Sequence, residues 1–132
     1  MQVFVRERIV KKSGKIGEQT KYLFYFYVPK QHKQRVKQAC FEAGAGSVGN
    51  YSQCSFEFEG TGQFFSQEQS NPFLGKRLKI SRVSEVKVEI MVEQSNLKRV
   101  LKKFLNSHPY EEPAYGFIQI LTAMDLQKMG GR

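Results

Sequence analysis

Residues 22–28 read Tyr22-Leu23-Phe24-Tyr25-Phe26-Tyr27-Val28, and residues 86–92 read Val86-Lys87-Val88-Glu89-Ile90-Met91-Val92. The first run is dense in strand-favouring aromatics, and Pro29 closes it by removing a backbone donor. The second alternates apolar residues with Lys87, Glu89 and Met91, the period-two pattern of a strand with one buried face. A helical stripe follows each run: Val36, Ala39, Cys40 and Ala43 after the first, and Leu97, Val100, Leu101, Phe104 and Leu105 after the second. Gly44 caps the first helix and Pro109 stops the second, for which Ser95 or Asn96 is the candidate N-cap. With an offset of 64 residues, Phe24, Phe26, Val28, Val36 and Cys40 fall opposite Val88, Ile90, Val92, Val100 and Phe104. Core positions thus superimpose on core positions, and strand-plus-helix occurs twice.

Between the two units, Tyr51 to Glu59 alternates Cys54, Phe56 and Phe58 with polar residues, which predicts a second strand facing the core with those three side chains. Gly60-Thr61-Gly62 leads into a hairpin arm at Gln63-Phe64-Phe65, Ser66 to Gly75 is a loop, and Lys76 to Val83 reads as a short edge strand. Ala114 to Leu121 is the last strand, and residues 122–132 form a polar tail. The order predicts an α+β, ferredoxin-like βαββαβ domain over residues 22–121. In that fold, two helices cover one face of a four-stranded antiparallel sheet whose first and third strands are central. The uncovered face is then expected to carry Leu23, Tyr25, Tyr27, Met91, Tyr115 and Phe117, an apolar patch that needs a cover.

A chain of 132 residues, 40% apolar and 25% charged, fits one globular domain. Its formal net charge of +9 invites a nucleic-acid reading. Residues 1–21 supply part of that charge as a basic N-terminal extension with six basic and two acidic residues, including a short strand expected at Val3 to Val10. Much of the remainder lies on the solvent faces of the two helices. An RNA-recognition sheet needs aromatics on its third strand, where this chain has Val86-Lys-Val-Glu-Ile-Met-Val. The domain is therefore not expected to bind nucleic acid, and the extension is the place to seek such binding. Two cysteines, Cys40 and Cys54, read as small core residues of a reduced, cytoplasmic protein, and no apolar run is long enough for a membrane span.

Two segments hold the candidate chemistry. Gly44-Ala-Gly46-Ser-Val-Gly49 fits G-x-G-x-x-G, but it follows a helix and precedes a strand, the reverse of a dinucleotide site. It reads as a helix cap and turn, with an anion-holding nest of backbone amides as the alternative. His108-Pro109-Tyr110-Glu111-Glu112-Pro113 gathers an imidazole and two carboxylates, so His108, Glu111 and Glu112 are candidate ligands for a divalent metal. The competing role for His108 is structural, at the end of its helix. His32 stands near the start of the first helix with no adjacent nucleophile, and no Ser-His-Asp or Cys-His arrangement can be assembled. The expectation is a protein that is not an enzyme and carries no resident cofactor.

Gly44-Ala-Gly46, Gly49-Asn50-Tyr51, Cys54-Ser-Phe56, Gly60-Thr-Gly62, Asn71-Pro-Phe73-x-Gly75 and His108-Pro-Tyr-Glu-Glu-Pro-Ala-Tyr115 occur in that order. Together they resemble the small domain inserted in the Nif-three-like proteins, the dinuclear-metal family labelled GTP cyclohydrolase type I-like. The resemblance spans about Tyr22 to Leu121 and implies a fold similar to the PII signalling proteins and the CutA divalent-ion-tolerance proteins, which are trimers. The family's two metal ions are held by the large halves flanking the insert, which these 132 residues do not contain, so neither the dimetal site nor cyclohydrolase chemistry is implied. What is implied is a freestanding homo-oligomeric PII/CutA-like module, a trimer by preference, that binds a small ligand or a protein partner. Its expected contact residues are Gly44, Gly46, Gly49, Asn50 and Tyr51 with His108, Tyr110, Glu111, Glu112 and Tyr115. The internal repeat places these two segments at one end of the sheet.

Overall fold

The computed structural model describes residues 20–130, so the expected N-terminal strand at Val3 to Val10 lies outside the described residues. Strand β1 (Lys21–Pro29) leads through a 3-10 turn into helix α1 (Lys33–Glu42). Strands β2 (Phe56–Phe65) and β3 (Ile80–Glu93) follow, then a second 3-10 turn, helix α2 (Leu97–Ser107), strand β4 (Tyr115–Ile120) and a short helix α3 (Ala123–Lys128). The sheet order is β2-β3-β1-β4 with every pair antiparallel, which is the ferredoxin-like βαββαβ arrangement read from the sequence.

The two runs that decide the fold are its central strands. Phe24 pairs with Ile90 and Phe26 with Val88, and Tyr22, Phe24, Phe26, Val28, Val86, Val88, Ile90 and Val92 all face the helices and are buried. Val36 and Cys40 of α1 and Leu97, Val100 and Phe104 of α2 close the same core. Burial also pushes the Cys40 thiol up to about 12, so it packs as a small apolar group. The helix ends support one another. Arg99 Nε donates to Ala43 O at 3.0 Å and Asn96 Nδ2 to Gly44 O at 3.4 Å, so the first turn of α2 caps the last carbonyls of α1. Asn96 does occupy the N-cap position of α2, but its side chain serves α1 and Arg99 instead of its own helix.

Four details differ from the sequence reading. Phe56 and Phe58 do not point to the core: they are 65% and 49% exposed on the helix-free face, and Cys54 is only half-buried. Glu57 takes the helix side instead, opposite Val88, where Lys33 and Lys37 of α1 reach it at 2.5 and 2.8 Å. An edge strand lies under the polar margin of α1, so a carboxylate is the better fit there. On β4, Tyr115 and Phe117 pair with Phe26 and Phe24 on the core side, leaving Ile118 and Ile120 on the open face. Lys76 to Val83 is no separate edge strand, because Ile80 to Val83 begin a long β3 paired with β2. Within the expected tail, Thr122 and Asp125 form a reciprocal capping box that starts α3.

Phe104 stands at the centre of the core and Leu105 beside it is 42% exposed. Phe104→Ala is expected to lower unfolding stability by about 3–5 kcal/mol in urea titrations, and Leu105→Ala by less than about 1 kcal/mol. Equal losses would contradict this placement of the core.

Candidate functional site

The two candidate segments lie at opposite ends of the sheet. After α1, Gly44 (φ +105°) and Gly46 (φ +87°) turn the chain so that Gly46 N donates to Met91 O at 2.8 Å. A side chain at Gly46 would press on the Phe41 ring and Cys54 O, both 3.0 Å from its Cβ position. Beyond it Val48 and Tyr51 exchange backbone hydrogen bonds around Gly49 and Asn50. Tyr51 is 75% exposed at the tip. The amides of Gly44, Ala45 and Gly46 are all spent, on Phe41 O, Cys40 O and Met91 O, so the turn is a helix cap and not an anion nest.

The segment after α2 packs on the other end of β1. His108 is buried, with Nε2 2.7 Å from Tyr27 O, while its Nδ1 accepts from Tyr110 N at 3.0 Å. Since Nδ1 accepts, Nε2 carries the proton and donates to Tyr27 O. Desolvation by burial holds the imidazole below its usual pKa, against the contrary pull of the Tyr27 carbonyl, and it is neutral. Met91 and Tyr27 sit four residues apart along the β1–β3 ladder, because Met91 pairs with Leu23 and Tyr27 with Lys87. That is roughly 13 Å along the strand. The single-end expectation fails because β1 and β3 are antiparallel, so equivalent parts of the repeat exit in opposite directions.

From His108 the chain crosses the end of the sheet. Tyr110 donates its hydroxyl to Glu85 Oε2 at 2.7 Å, and burial together with this carboxylate pushes the phenol well above its usual range. Glu111 Oε1 accepts from Asn71 N at 3.0 Å, tying the segment to the β2–β3 loop. Tyr110, Glu111 and Glu112 thereby line a cleft of about 350 Å³ together with Tyr27, Phe64, Phe73 and Glu85. Gly62 lies beside Glu85, whose carboxylate a Cβ at that position would meet. Tyr115 belongs to the core side, its ring 5.1 Å edge-on to Phe104. Of the expected contact residues, then, Tyr110, Glu111 and Glu112 share the cleft; His108 packs behind Tyr110, Tyr115 packs on the core, and Gly44 to Tyr51 are elsewhere. Phe64, Phe73 and Glu85 were missed, and only the faint regularity of Asn71-Pro-Phe73 could have pointed to one of them.

The metal candidates do not converge. Both His108 ring nitrogens are engaged by backbone, Glu111 is bound to Asn71, and among the described residues no three His, Cys, Asp or Glu side chains gather into a group that could hold a metal ion. Among the described residues no helix is long and apolar enough to cross a membrane.

No protein-family model matches the chain. A GTP cyclohydrolase 1 type 2 homolog of Halalkalibacterium halodurans is 44% identical over 94 residues, which is 71% of this chain and 25% of that protein. A solved structure of a Bacillus cereus protein related to NIF3 superimposes with a TM-score of 0.68 at 36% identity, covering 78% of this chain and 26% of the other. The chain is similar to one domain of the GTP cyclohydrolase 1 type 2 homologs and has the fold of the CutA and PII-like proteins. The PII-like protein CutA of a Nostoc species shares that fold at 15% identity and a TM-score of 0.56, covering 82% of this chain and 88% of its own. The PII/CutA-like domain here spans about a quarter of the length of the curated relatives it matches, and the cyclohydrolase in their names is a statement about those proteins.

His108 sets a pH dependence. Its pKa is lowered by folding, so the unfolded chain binds more protons near and below the ordinary histidine value of 6.5. The stabilisation is complete above about pH 6.5 and is lost as pH falls through the folded pKa. Melting temperature should therefore fall between pH 7.5 and 5.5, roughly, and the His108→Gln variant should flatten that slope. An unchanged slope in the variant would refute the assignment.

Proposed function

We propose that this PII/CutA-like domain is a non-enzymatic, homo-oligomeric module, trimeric as the resemblance to PII and CutA proteins implies, that binds a small ligand or a protein partner. The observation that carries this reading is the helix-free face of the sheet. Phe56, Phe58 and Ile118 are 65%, 49% and 50% exposed there, beside half-buried Leu23, Tyr25, Tyr27 and Met91. A contiguous apolar face of this kind favours a protein cover. Support also comes from the β2–β3 ladder, which continues from Thr61↔Ser84 to Phe65↔Ile80, past the Pro29↔Glu85 pair where β1 ends. A two-stranded ribbon is marginal alone, and Phe65 and Ile80 on it are 50% and 55% exposed. A sister subunit seated on the face and the ribbon would cover both.

Two groups that could serve a catalytic step are otherwise occupied: His108 is held by backbone on both nitrogens, and Cys40 is buried at the core. This supports binding over catalysis. The two free cysteines suit a reducing, cytoplasmic setting. Ligand or partner contact is assigned to the cleft that Tyr110, Glu111 and Glu112 line, which brings together the most polar part of the specific His108–Tyr115 motif.

Light scattering on purified protein should give a mass three times the 15.3 kDa of the chain. The double variant Phe56→Glu, Phe58→Glu, whose side chains lie outside the core, should fold and run as a monomer. A wild-type monomer would overturn the oligomer.

A further inference from the structure

The cleft at the Pro29 end of the sheet is acidic in a basic protein. The chain carries +9, yet the charged residues lining this cleft are Glu85, Glu111 and Glu112, with no lysine, arginine or histidine among them. Elsewhere on the sheet each carboxylate has its lysine: Glu57 with Lys33 and Lys37, Glu59 with Lys30, Glu89 with Lys87, and Glu93 with Lys21. Among the described residues no ion pair reaches Glu85, Glu111 or Glu112. Five aromatic side chains share the wall with neutral polar and small residues, Phe64 and Phe73 standing 6.1 and 6.5 Å from the Tyr110 ring.

From this we infer that the cleft is a binding site for an organic cation with a flat, delocalised charge, a guanidinium. The inference rests on the ligand-binding part of the proposed function and gives that ligand a chemistry. A metal ion is the poorer match. Tyr110 holds Glu85 and Asn71 N holds Glu111, so the carboxylates are fixed at separate places along the wall and do not close on one point. A guanidinium spreads its charge over a plane. It can lie on an aromatic face while its edge donates to a carboxylate, which a strongly hydrated compact ammonium does less well. A volume of about 350 Å³ is at the small end of ligand cavities and suits one such group with a short stem.

The same cation can arrive as a free small molecule or as an arginine side chain on a peptide, and the test separates them. The 132-residue chain is titrated with ethylguanidinium, with the uncharged isostere ethylurea, and with N-acetyl-arginine amide, followed by proton NMR of the aromatic rings and by calorimetry. Saturable binding of ethylguanidinium that shifts ring resonances, with none for ethylurea, is the expected result. Glu112→Gln, an exposed position that leaves the fold intact, should weaken binding about tenfold, and Phe73→Ala similarly. Raising salt should weaken it as well. Tighter binding of the arginine amide assigns the site to peptides and equal binding to the free cation; either upholds it. Equal affinity for ethylurea, or an affinity unchanged in both variants, overturns it. Light scattering on the same samples keeps the two readings apart. A monomer that binds guanidinium refutes only the oligomer, and a trimer indifferent to it refutes only the cleft.

Discussion

Phe24 is the side chain on which the described structure turns. Its ring stacks on Phe117 of β4 at 4.5 Å with a 14° tilt, meets Phe104 of α2 edge-on at 5.1 Å, and lies 5.3 Å from Phe26 in its own strand. One residue thus joins the edge strand, the central strand and the helix that covers them. Aromatic pairs of this geometry add about 0.5–1.5 kcal/mol each beyond the area they bury. More important is the phase they impose. Once Phe24 faces the helices, the period-two rule sends Leu23, Tyr25 and Tyr27 to the other face, and a one-residue slip would expose the whole core set. The uncovered aromatic face is therefore a direct consequence of the way β1 is anchored.

His108 plays the corresponding part at the end of the sheet. Its two backbone hydrogen bonds join the end of α2 to the end of β1, and its ring packs against Phe104 at 5.3 Å. Held this way, the chain has one exit, across the sheet end toward Glu85 and the β2–β3 loop. The position of Tyr110, Glu111 and Glu112 follows from that exit. A residue that looks in sequence like the reactive member of a His-Glu-Glu cluster is in the structure the pin that lets the two glutamates face a cleft without it.

What was legible in the sequence was whatever depends on local period. The alternation at 86–92, the helical stripes and the 64-residue repeat place β1, α1, β3 and α2 correctly. What was not legible depends on distant partners. The alternation at 54–58 fits either face equally; only the reach of Lys33 and Lys37 across 24 and 20 residues of sequence settles it for Glu57. In Tyr115-Gly-Phe-Ile-Gln-Ile120 both phases offer large apolar residues, and the choice is made by Phe24 and Phe26 across the ladder. The cleft was half visible, since its 110–112 side is one motif, while Glu85 and Phe64 come to it only when β2, β3 and the α2 exit meet.

The charge of the chain takes on a different meaning in this light. A net +9 suggests a surface made to meet anions, yet on the sheet the lysines are largely consumed by carboxylates. Lys87, the cation at the middle of the open face, sits over Tyr25 at 5.0 Å and near Tyr27 and Phe58, each 5.8 Å away, besides its bond to Glu89. Its charge is shared among aromatic faces and one carboxylate, which lowers the cost of bringing that face against another protein surface. The cleft next to it is the inverse case, with the same kinds of ring and the same kind of carboxylate but no lysine supplied by the chain. The open face thus carries its own cation, and the sheet end presents the rings and carboxylates of a similar environment to a cation from outside.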